Sequence, residues 1–495
     1  MRASWIAIVT LVVVGCGQPT PEQQFVNNLA TALGGRDKIE AAHGLDVEGE
    51  GVNYNLGQDM RPGAATQTFK VTEYHRLVDL MDARFRIGQT RTPQFAYFQG
   101  PQAQAQILGL DGDVGYNANN TGASARISAQ ATRDRRVEMY HHPLVMAHAA
   151  LAPTANVANV HSNGNETIAD VTLADGTALT VVTDAAGLPT RIESKAYHPN
   201  LGDVTISTTF TNYEDVAGLR LPTLLTTKTD DFTTAEITVS KQSTSAQSPD
   251  VAGPANSPPA PVATLPVVTA EAVAKGVWFM SGQSHHSVLV EFSDHLVLIE
   301  APLSEARTLA VIAKARETVP GKPLTTLVTT HHHFDHSAGL RAAIAEGLKV
   351  ITHAGNKEFV ETMAKRAHTI QPDALAKNAK PLTVETVDEE LELKDAGTPK
   401  GVPYDRNGAP GAGSRTLVLY HVAGNPHSDT MLMAYLPTER VLVEVDAYSP
   451  GSAVQPYAAN LLENITSRKL KVDRIVPLHG AMAKFEELPK SIPKS

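Results

Sequence analysis

Five of the six side chains at positions 331–336 can bind a metal ion, since the segment reads His-His-His-Phe-Asp-His. Neutral imidazoles and a carboxylate are the nitrogen and oxygen ligands that divalent zinc prefers. In an extended turn alternate side chains share a side, so His331 and His333 would bind one ion. Asp335 and His336, where the chain bends into a helix, would bind a second. These four side chains are too close together in the sequence for all of them to reach one tetrahedral ion comfortably. Two adjacent metal ions therefore fit better than one.

The flanking sequence places these donors at the end of a strand. Residues 324–329 form an apolar, β-branched run typical of a buried strand, and residues 337–346 have helical composition ended by Gly347. Polar groups between a strand and a helix are the usual arrangement in α/β enzymes. The pattern His-x-His-x-Asp-His after a buried strand resembles the metallo-β-lactamase superfamily, and every fixed position of that motif is present. The alternative, a solvated histidine-rich loop, is disfavoured by the residues downstream.

Three further ligand candidates follow predicted strands, in the order that the superfamily shows. The resemblance implies that His427 joins the first metal, that Asp446 bridges both metals and that His479 completes the second site. It also implies an αββα sandwich for residues 267–495. The strands and helix predicted for this region are strands 277–280, 287–292, 296–300, 324–330, 348–352, 415–421, 431–436, 441–445 and 472–478, and a helix at 304–319.

Two positions depart from parts of the superfamily. Many members have an aspartate where this chain has Glu300, which either orients a metal ligand by hydrogen bonding or is a solvated strand end. The best-studied β-lactamase class has a cysteine where this chain has Asp446, so that class is excluded. Aspartate at this place is similar to the glyoxalase II, lactonase and broad hydrolase branches, although the chain lacks the length for glyoxalase II's helical domain after His479.

The resemblance implies a metal-dependent hydrolase with two Zn²⁺ ions, in which a metal-bound hydroxide attacks a substrate carbonyl. Asp335 would also orient the hydroxide by accepting its hydrogen bond. The implied substrates are small esters, lactones, thioesters and amides, β-lactams included. Tyr448, His285 and His286 are candidates for substrate contact, whereas His353 is interpreted as structural. Two alternatives stay open: a mononuclear non-haem iron oxygenase, and a lipid-binding carrier with a non-catalytic metal domain.

The first residues predict export and a lipid anchor. One positive charge and a short apolar run precede Val-Val-Gly-Cys16, which is typical of a signal peptide and resembles a bacterial lipobox. Cys16 is the only cysteine, so internal disulfides are excluded and this thiol is free for acylation. We therefore predict a signal peptide at 1–16 and a lipoprotein of the bacterial cell envelope that faces the periplasm, with the outer membrane preferred over the inner because Gly17 is not acidic.

Residues 17–245 predict a second, β-rich domain. Short helices at 21–33 and 37–42 precede a series of strands with period-two patterning, which favours an antiparallel, curved sheet or half-barrel. The strands predicted here are 45–54, 67–74, 83–90, 167–173, 177–183, 204–211 and 235–240. This part resembles bacterial lipoprotein-carrier half-barrels, which implies a lipid or acyl ligand. A proline-rich linker at 246–266 would separate it from the C-terminal domain at 267–495, so the chain as a whole is predicted to be α+β.

The composition of the chain limits the classes of partner that it is expected to bind. The chain has 495 residues, of which 42% are hydrophobic, and a formal net charge of −10 that is spread along it. This length suggests more than one domain. Without a cluster of Lys and Arg there is little electrostatic support for nucleic-acid binding. A Gly- and Pro-rich excursion at 396–414 is predicted to be a surface flap.

Overall fold

The computed structural model describes residues 18–95, 102–119, 121, 123–254, 257–260, 264–395 and 415–492. The predicted signal segment with Cys16 and the predicted flap at 396–414 lie outside these ranges, so both stay predictions. Within the described ranges, no helix combines the length and the apolar character needed to cross a membrane.

The N-terminal part is one open antiparallel sheet of 13 strands, in the order β6-β5-β4-β3-β2-β1-β13-β12-β11-β10-β9-β8-β7. The first and last strands pair with each other at its centre, and β6 and β7 form its edges. The strands are β1 (Gly44–Tyr54), β2 (Thr68–Asp79), β3 (Arg84–Pro93), β4 (Gln104–Asp111), β5 (Val114–Ala118), β6 (Ser124–Arg126), β7 (Asn156–Asn163), β8 (Glu166–Thr172), β9 (Ala178–Thr183), β10 (Pro189–His198), β11 (Gly202–Val216), β12 (Leu219–Thr229) and β13 (Phe232–Ser245).

Four helices pack on this sheet: α1 (Pro21–Ala32), α2 (Arg36–Ala41), α3 (Ala129–Tyr140) and α4 (Pro143–Ala150). Helix α1 begins at a capping box in which the Thr20 hydroxyl and the Gln23 side chain bond to each other's backbone N–H. The helix ends before Gly34, whose φ is +117°. A side chain does not fit at this position, because a Cβ would lie 2.1 Å from the carbonyl oxygen of Gly218. The helices bury apolar side chains such as Phe25 and Leu29 against the sheet.

The sequence predicted α1 and α2 closely but missed α3, α4 and several strands, among them β10 and β12. In the missed strands polar side chains are buried, such as Ser194 in β10 and Thr229 in β12. These interrupt the alternation of apolar and polar residues on which strand prediction depends. The fold class itself, a largely antiparallel sheet followed by an αββα sandwich, is confirmed.

Residues 246–268 join the two parts, and those that are described form no helix or strand. The connection nevertheless packs on the sheet, since the backbone N–H of Arg126 donates to the Pro258 carbonyl and Val251 is buried. It is therefore partly docked on the first domain.

The C-terminal part contains two mixed sheets of seven and six strands. The first sheet runs β14 (Thr269–Ala274), β15 (Val277–Ser281), β16 (Ser287–Glu291), β17 (Leu296–Ile299), β18 (Leu324–Val328), β19 (Lys349–His353) and β20 (Val384–Val387). The second runs β21 (Glu390–Lys394), β22 (Thr416–His421), β23 (Leu432–Leu436), β24 (Val441–Glu444), β25 (Arg474–Pro477) and β26 (Ala483–Lys484). The helices are α5 (Glu305–Thr318), α6 (Phe334–Ser337), α7 (Leu340–Ala345), α8 (Lys357–Lys365), α9 (Ala374–Lys377), α10 (Ala458–Ser467) and α11 (Glu487–Ser491).

Alternation along the strands explains why the two sheets stack. In β16, Val288 and Val290 face the second sheet, while Leu289 between them faces α5 and α7. Strands with both faces buried carry continuous apolar runs, as β17 does. The core is therefore two hydrophobic layers, one between the sheets and one under the helices.

The two parts of the chain share a hydrophobic cluster. Leu201 and Val204 of the N-terminal sheet pack in the cluster that contains Met363 of α8. Beside them, the Arg366 guanidinium forms an ion pair with Asp230. The domains are thus docked on each other through apolar and charged contacts.

Candidate metal centre

All seven predicted ligands lie at carboxyl ends of strands or in the turns that follow. His331 to His336 follow β18, His427 lies between β22 and β23, Asp446 follows β24, and His479 follows β25. Strands β24 and β25 are parallel neighbours, so the chain emerges from them at the same edge. The structure brings the seven side chains together in two adjoining clusters.

The first cluster consists of His331, His333, His427 and Asp446, whose candidate ligand atoms all lie within 4.8 Å of one another. The Oδ2 atom of Asp446 is 3.0 Å from Nε2 of His427 and 3.5 Å from Nε2 of His331. The side chains of His331 and His333 are fully buried. Three imidazoles and a carboxylate at this spacing match the donor set of a zinc site.

Hydrogen bonds to the far sides of two imidazoles determine which nitrogen faces the cluster. The Nδ1–H of His331 donates to the Thr330 hydroxyl at 3.2 Å, and that hydroxyl donates to the Glu300 carboxylate. The Nε2–H of His333 donates to the backbone carbonyl of Asp59 at 2.8 Å. A donor on one ring nitrogen leaves the other as a free lone pair. His331 therefore presents Nε2 to the cluster, and His333 presents Nδ1.

The second cluster consists of His285, Asp335, His336 and His479. Nε2 of His336 lies 3.2 Å from Nε2 of His479 and 3.7 Å from Oδ2 of Asp335. Asp446 belongs to both clusters, since its Oδ2 is 3.1 Å from Nε2 of His336 and its Oδ1 is 2.9 Å from Nε2 of His479. This position between the clusters is the one that a bridging carboxylate would occupy.

Burial and neighbouring charges shift the pKa values of the candidate ligands in different directions. Burial lowers the pKa of His331 and His333 well below the ordinary value of histidine, and neighbouring imidazoles lower it further. Burial also lowers the pKa of His336, but the carboxylates of Asp446 and Asp335 outweigh it and raise the pKa well above 6.5. Burial alone would raise the pKa of Asp446, yet His336 and His479 hold it well below 3.8. His331 and His333 are thus neutral imidazoles, the form that binds metals.

Glu300 is fully buried, so it is not a solvated strand end. One of its carboxylate oxygens accepts from Thr330 and lies 3.5 Å from Nδ1 of His336. It therefore touches the outer side of a ligand in each cluster, directly or through Thr330. Glu300 and Asp446 both adopt the left-handed conformation, with φ of +78° and +53°. Such strain costs of order 1–3 kcal/mol per residue and persists where the surroundings enforce it, often at functional sites.

The residues present fit a metal. Among the described residues, Nε2 of His331 and Nδ1 of His333 are buried without a hydrogen-bond partner, and both lie within 4.8 Å of the candidate ligand atoms of His427 and Asp446. A buried polar atom with no partner costs free energy, so two lone pairs that face the same carboxylate call for a shared positive charge. A divalent cation satisfies both.

Some site residues were only partly anticipated. His285 was a candidate for substrate contact, but its Nε2 lies 3.2 Å from Oδ2 of Asp335 and its ring is 3.8 Å from that of His479. The Ser284 hydroxyl is 2.9 Å from its Nδ1. Gln58, whose amide donates to Oδ1 of Asp335 at 2.8 Å, carried no sequence signal at all. The spacing of His285 in the chain likewise gave no sign that it joins this cluster.

Other candidates lie apart from the two clusters. Tyr448 packs in the core between the sheets, and His286 packs its ring against Phe279 at 4.7 Å. His353 bonds to the backbone N–H of Gly355 and lies against the ring of His421, which agrees with a structural role.

Comparisons with known proteins concern the same half of the chain. The family model described as the metallo-beta-lactamase superfamily matches residues 281–443. Among solved structures, the FIM-1 enzyme from Pseudomonas aeruginosa in its mono-zinc form is 17% identical, with a TM-score of 0.33, over 45% of this chain and 92% of that one. A metallo-β-lactamase from Hirschia baltica is 15% identical, with a TM-score of 0.33, over 45% and 95%. No curated protein matches the chain.

Proposed function

We propose that the C-terminal domain, a metal-dependent hydrolase domain of the metallo-β-lactamase superfamily, binds two zinc ions and hydrolyses a small ester, lactone, thioester or amide. The observation that carries the proposal is the position of Asp446, which is within 3.5 Å of ring nitrogens from both clusters. One carboxylate between two sets of histidines is suited to two adjacent cations.

The chain's own residues would perform distinct tasks. His331, His333 and His427 would hold the first ion, while Asp335, His336 and His479 would hold the second. When bound, two zinc ions supply a shared water whose pKa is lowered to about 7 and a positive charge that polarises a carbonyl. His285, hydrogen-bonded to Asp335, is placed to contact that water or the leaving group. No serine or cysteine nucleophile is needed.

Metal content separates this proposal from its alternatives. We expect elemental analysis of the purified chain to find two zinc ions per molecule and His331→Ala to lose both metal and turnover. One iron per chain would indicate the oxygenase instead. A chain that binds no metal after reconstitution would contradict both enzymes. Turnover is then followed on a panel of esters, lactones, thioesters and β-lactams, with the metal-free protein as control.

A cavity in the N-terminal domain supports a second proposal, a binding site for an acyl ligand. Its volume is about 410 Å³, and it lies between the sheet and α3. Its apolar lining includes Ile87, Leu108 and Val137, and the basic side chains of Arg76 and Arg91 also face it. The Nε atoms of both arginines are buried without a hydrogen-bond partner among the described residues. A cavity that combines apolar walls with unpaired guanidinium Nε–H groups suits a fatty-acid-like carboxylate.

We expect a fluorescent fatty acid to bind the chain, and Arg91→Met to weaken that binding about tenfold, because a charge-assisted hydrogen bond contributes roughly 1.5–3 kcal/mol. Arg84→Met is the matched control, since Arg84 lies on the same strand but pairs with Asp111 at 2.9 Å outside the cavity. Equal affinity for the two variants would contradict the proposal, as would no binding to the unmodified chain.

A further inference from the structure

A loop of the N-terminal domain reaches the metal centre. Residues 55–67 connect β1 and β2, and residues 57–61 of this loop contact the turns that carry His333, Asp335 and His427. The backbone carbonyl of Asp59 accepts from Nε2–H of His333 at 2.8 Å. The side-chain amide of Gln58 donates to Oδ1 of Asp335 at 2.8 Å. One predicted ligand of each metal is therefore bonded to the other domain.

Backbone hydrogen bonds hold this loop in place. The N–H of Phe334 donates to the Gly57 carbonyl at 3.1 Å, and the N–H of Asp429 donates to the Met60 carbonyl at 2.7 Å. Phe334 and Asp429 flank the ligands of the first cluster along the chain. The loop is thus tied to both ligand-bearing turns, and its contacts do not depend on one flexible side chain.

We propose that residues 57–61 are a positioning element of the metal centre, through which the N-terminal domain sets the orientation of His333 and Asp335 and thereby the metal affinity. This inference rests on the proposed metal-binding function. Asp59 holds the His333 ring with Nδ1 turned to the first cluster. Gln58 occupies Oδ1 of Asp335 and leaves Oδ2 for the second. Partners on the outer side of metal ligands typically change metal affinity or activity by roughly 10- to 100-fold.

Docking of the domains makes such positioning effective. Asn200, in the turn between β10 and β11, donates to the Phe334 carbonyl at 3.1 Å, so a second segment of the N-terminal sheet also contacts α6. The shared cluster around Leu201 and the ion pair of Arg366 with Asp230 also fix the N-terminal sheet on the C-terminal domain. The sheet that carries the loop is therefore held at several points. The metal centre is consequently shared between the domains.

Two glycines of the loop provide a matched test. Gly57 and Gly63 have nearly the same left-handed φ, +79° and +78°, so an alanine is equally strained at either. A Cβ at Gly57 would lie 2.3 Å from ring atoms of Phe334, whereas a Cβ at Gly63 would meet nothing within 4 Å. Gly57→Ala must therefore displace either the loop or the Phe334 ring, which lies between His333 and Asp335 in the chain, and Gly63→Ala need displace neither.

We expect zinc affinity of the full chain, measured by competition with a chromophoric chelator, to fall roughly 10- to 100-fold in Gly57→Ala and to stay within about twofold in Gly63→Ala. The visible absorption spectrum of the cobalt-substituted protein should change in Gly57→Ala alone, since it reports ligand geometry. Gln58→Ala, which removes one hydrogen bond and no backbone contact, should weaken binding of the second ion and serves if Gly57→Ala does not fold.

The outcomes are distinguishable. If the unmodified chain binds no metal, the proposed function fails. If the unmodified chain binds two ions, but Gly57→Ala matches Gly63→Ala in affinity and spectrum and Gln58→Ala is unchanged, only the positioning role is overturned. Metal affinity requires no knowledge of the substrate, so the two ideas are tested separately.

Discussion

Asp446→Asn should reduce kcat/KM by at least roughly 100-fold and should lower the metal content below two ions per chain. The substitution keeps the size of the side chain but removes the negative charge that lies within 3.5 Å of four ring nitrogens. Loss of several kcal/mol of charge stabilisation at a two-metal site corresponds to a rate decrease of this order. Steady-state kinetics and elemental analysis of the same preparation measure the two effects.

Asp294→Asn is the control for this prediction. Asp294 is exposed, its side chain pairs with the neighbouring His295, and it lies outside both clusters. The same change of charge there should leave kinetics and metal content unaltered. An Asp446→Asn protein that retains two ions and its full kcat/KM would show that Asp446 bridges nothing.

Asp373→Ala should destabilise the C-terminal domain by about 3–5 kcal/mol, because it leaves a buried guanidinium without its counter-ion. The carboxylate of Asp373 receives two bonds from Arg341, and both side chains are nearly inaccessible to solvent. Arg341 also donates to the carbonyls of Met363, Ala364 and Arg366, which would stay as its partners. Denaturant unfolding of the metal-free protein measures the loss.

The Glu317→Ala variant provides a comparison, since Glu317 pairs with Lys314 at the surface. Loss of an exposed pair costs about 1 kcal/mol or less.

The stabilisation by the buried pair of Asp373 and Arg341 should also depend on pH. Burial would raise the pKa of Asp373, but Arg341 outweighs it, so the folded pKa lies below 3.8. The stabilisation is therefore present above about pH 4 and lost as the pH falls through the folded pKa. Equal free energies of unfolding for Asp373→Ala and Glu317→Ala would show that the buried pair contributes no more stability than the exposed one.

Much of the metal centre was predictable because its donors are close in sequence or end strands with clear patterns. His331, His333 and His336 share one turn, so covalent connection alone keeps them together. His427, Asp446 and His479 each follow a predicted apolar strand, in the order that the superfamily pattern shows. The roles predicted for the seven ligands stay predictions until a metal is measured.

The N-terminal sheet was less predictable. Strands β10 and β12 bury polar groups, Ser194 and Thr229 among them, so their hydrophobic period is weak. Helices α3 and α4 also carry little amphipathic patterning, because α3 is largely polar and α4 is apolar all round. Tertiary contacts override local pattern at these elements.

By itself, the sequence determined the identity of the donors, their order along the chain and the type of fold that would gather them. Only the tertiary structure decided which nitrogen of His333 faces the first cluster, since that depends on a carbonyl at Asp59, 274 residues away. It likewise placed His285 beside Asp335 and buried Glu300 behind two ligands. Hydrogen bonds between distant segments leave no periodicity in the sequence, because either partner can be any residue with a suitable backbone or side-chain group.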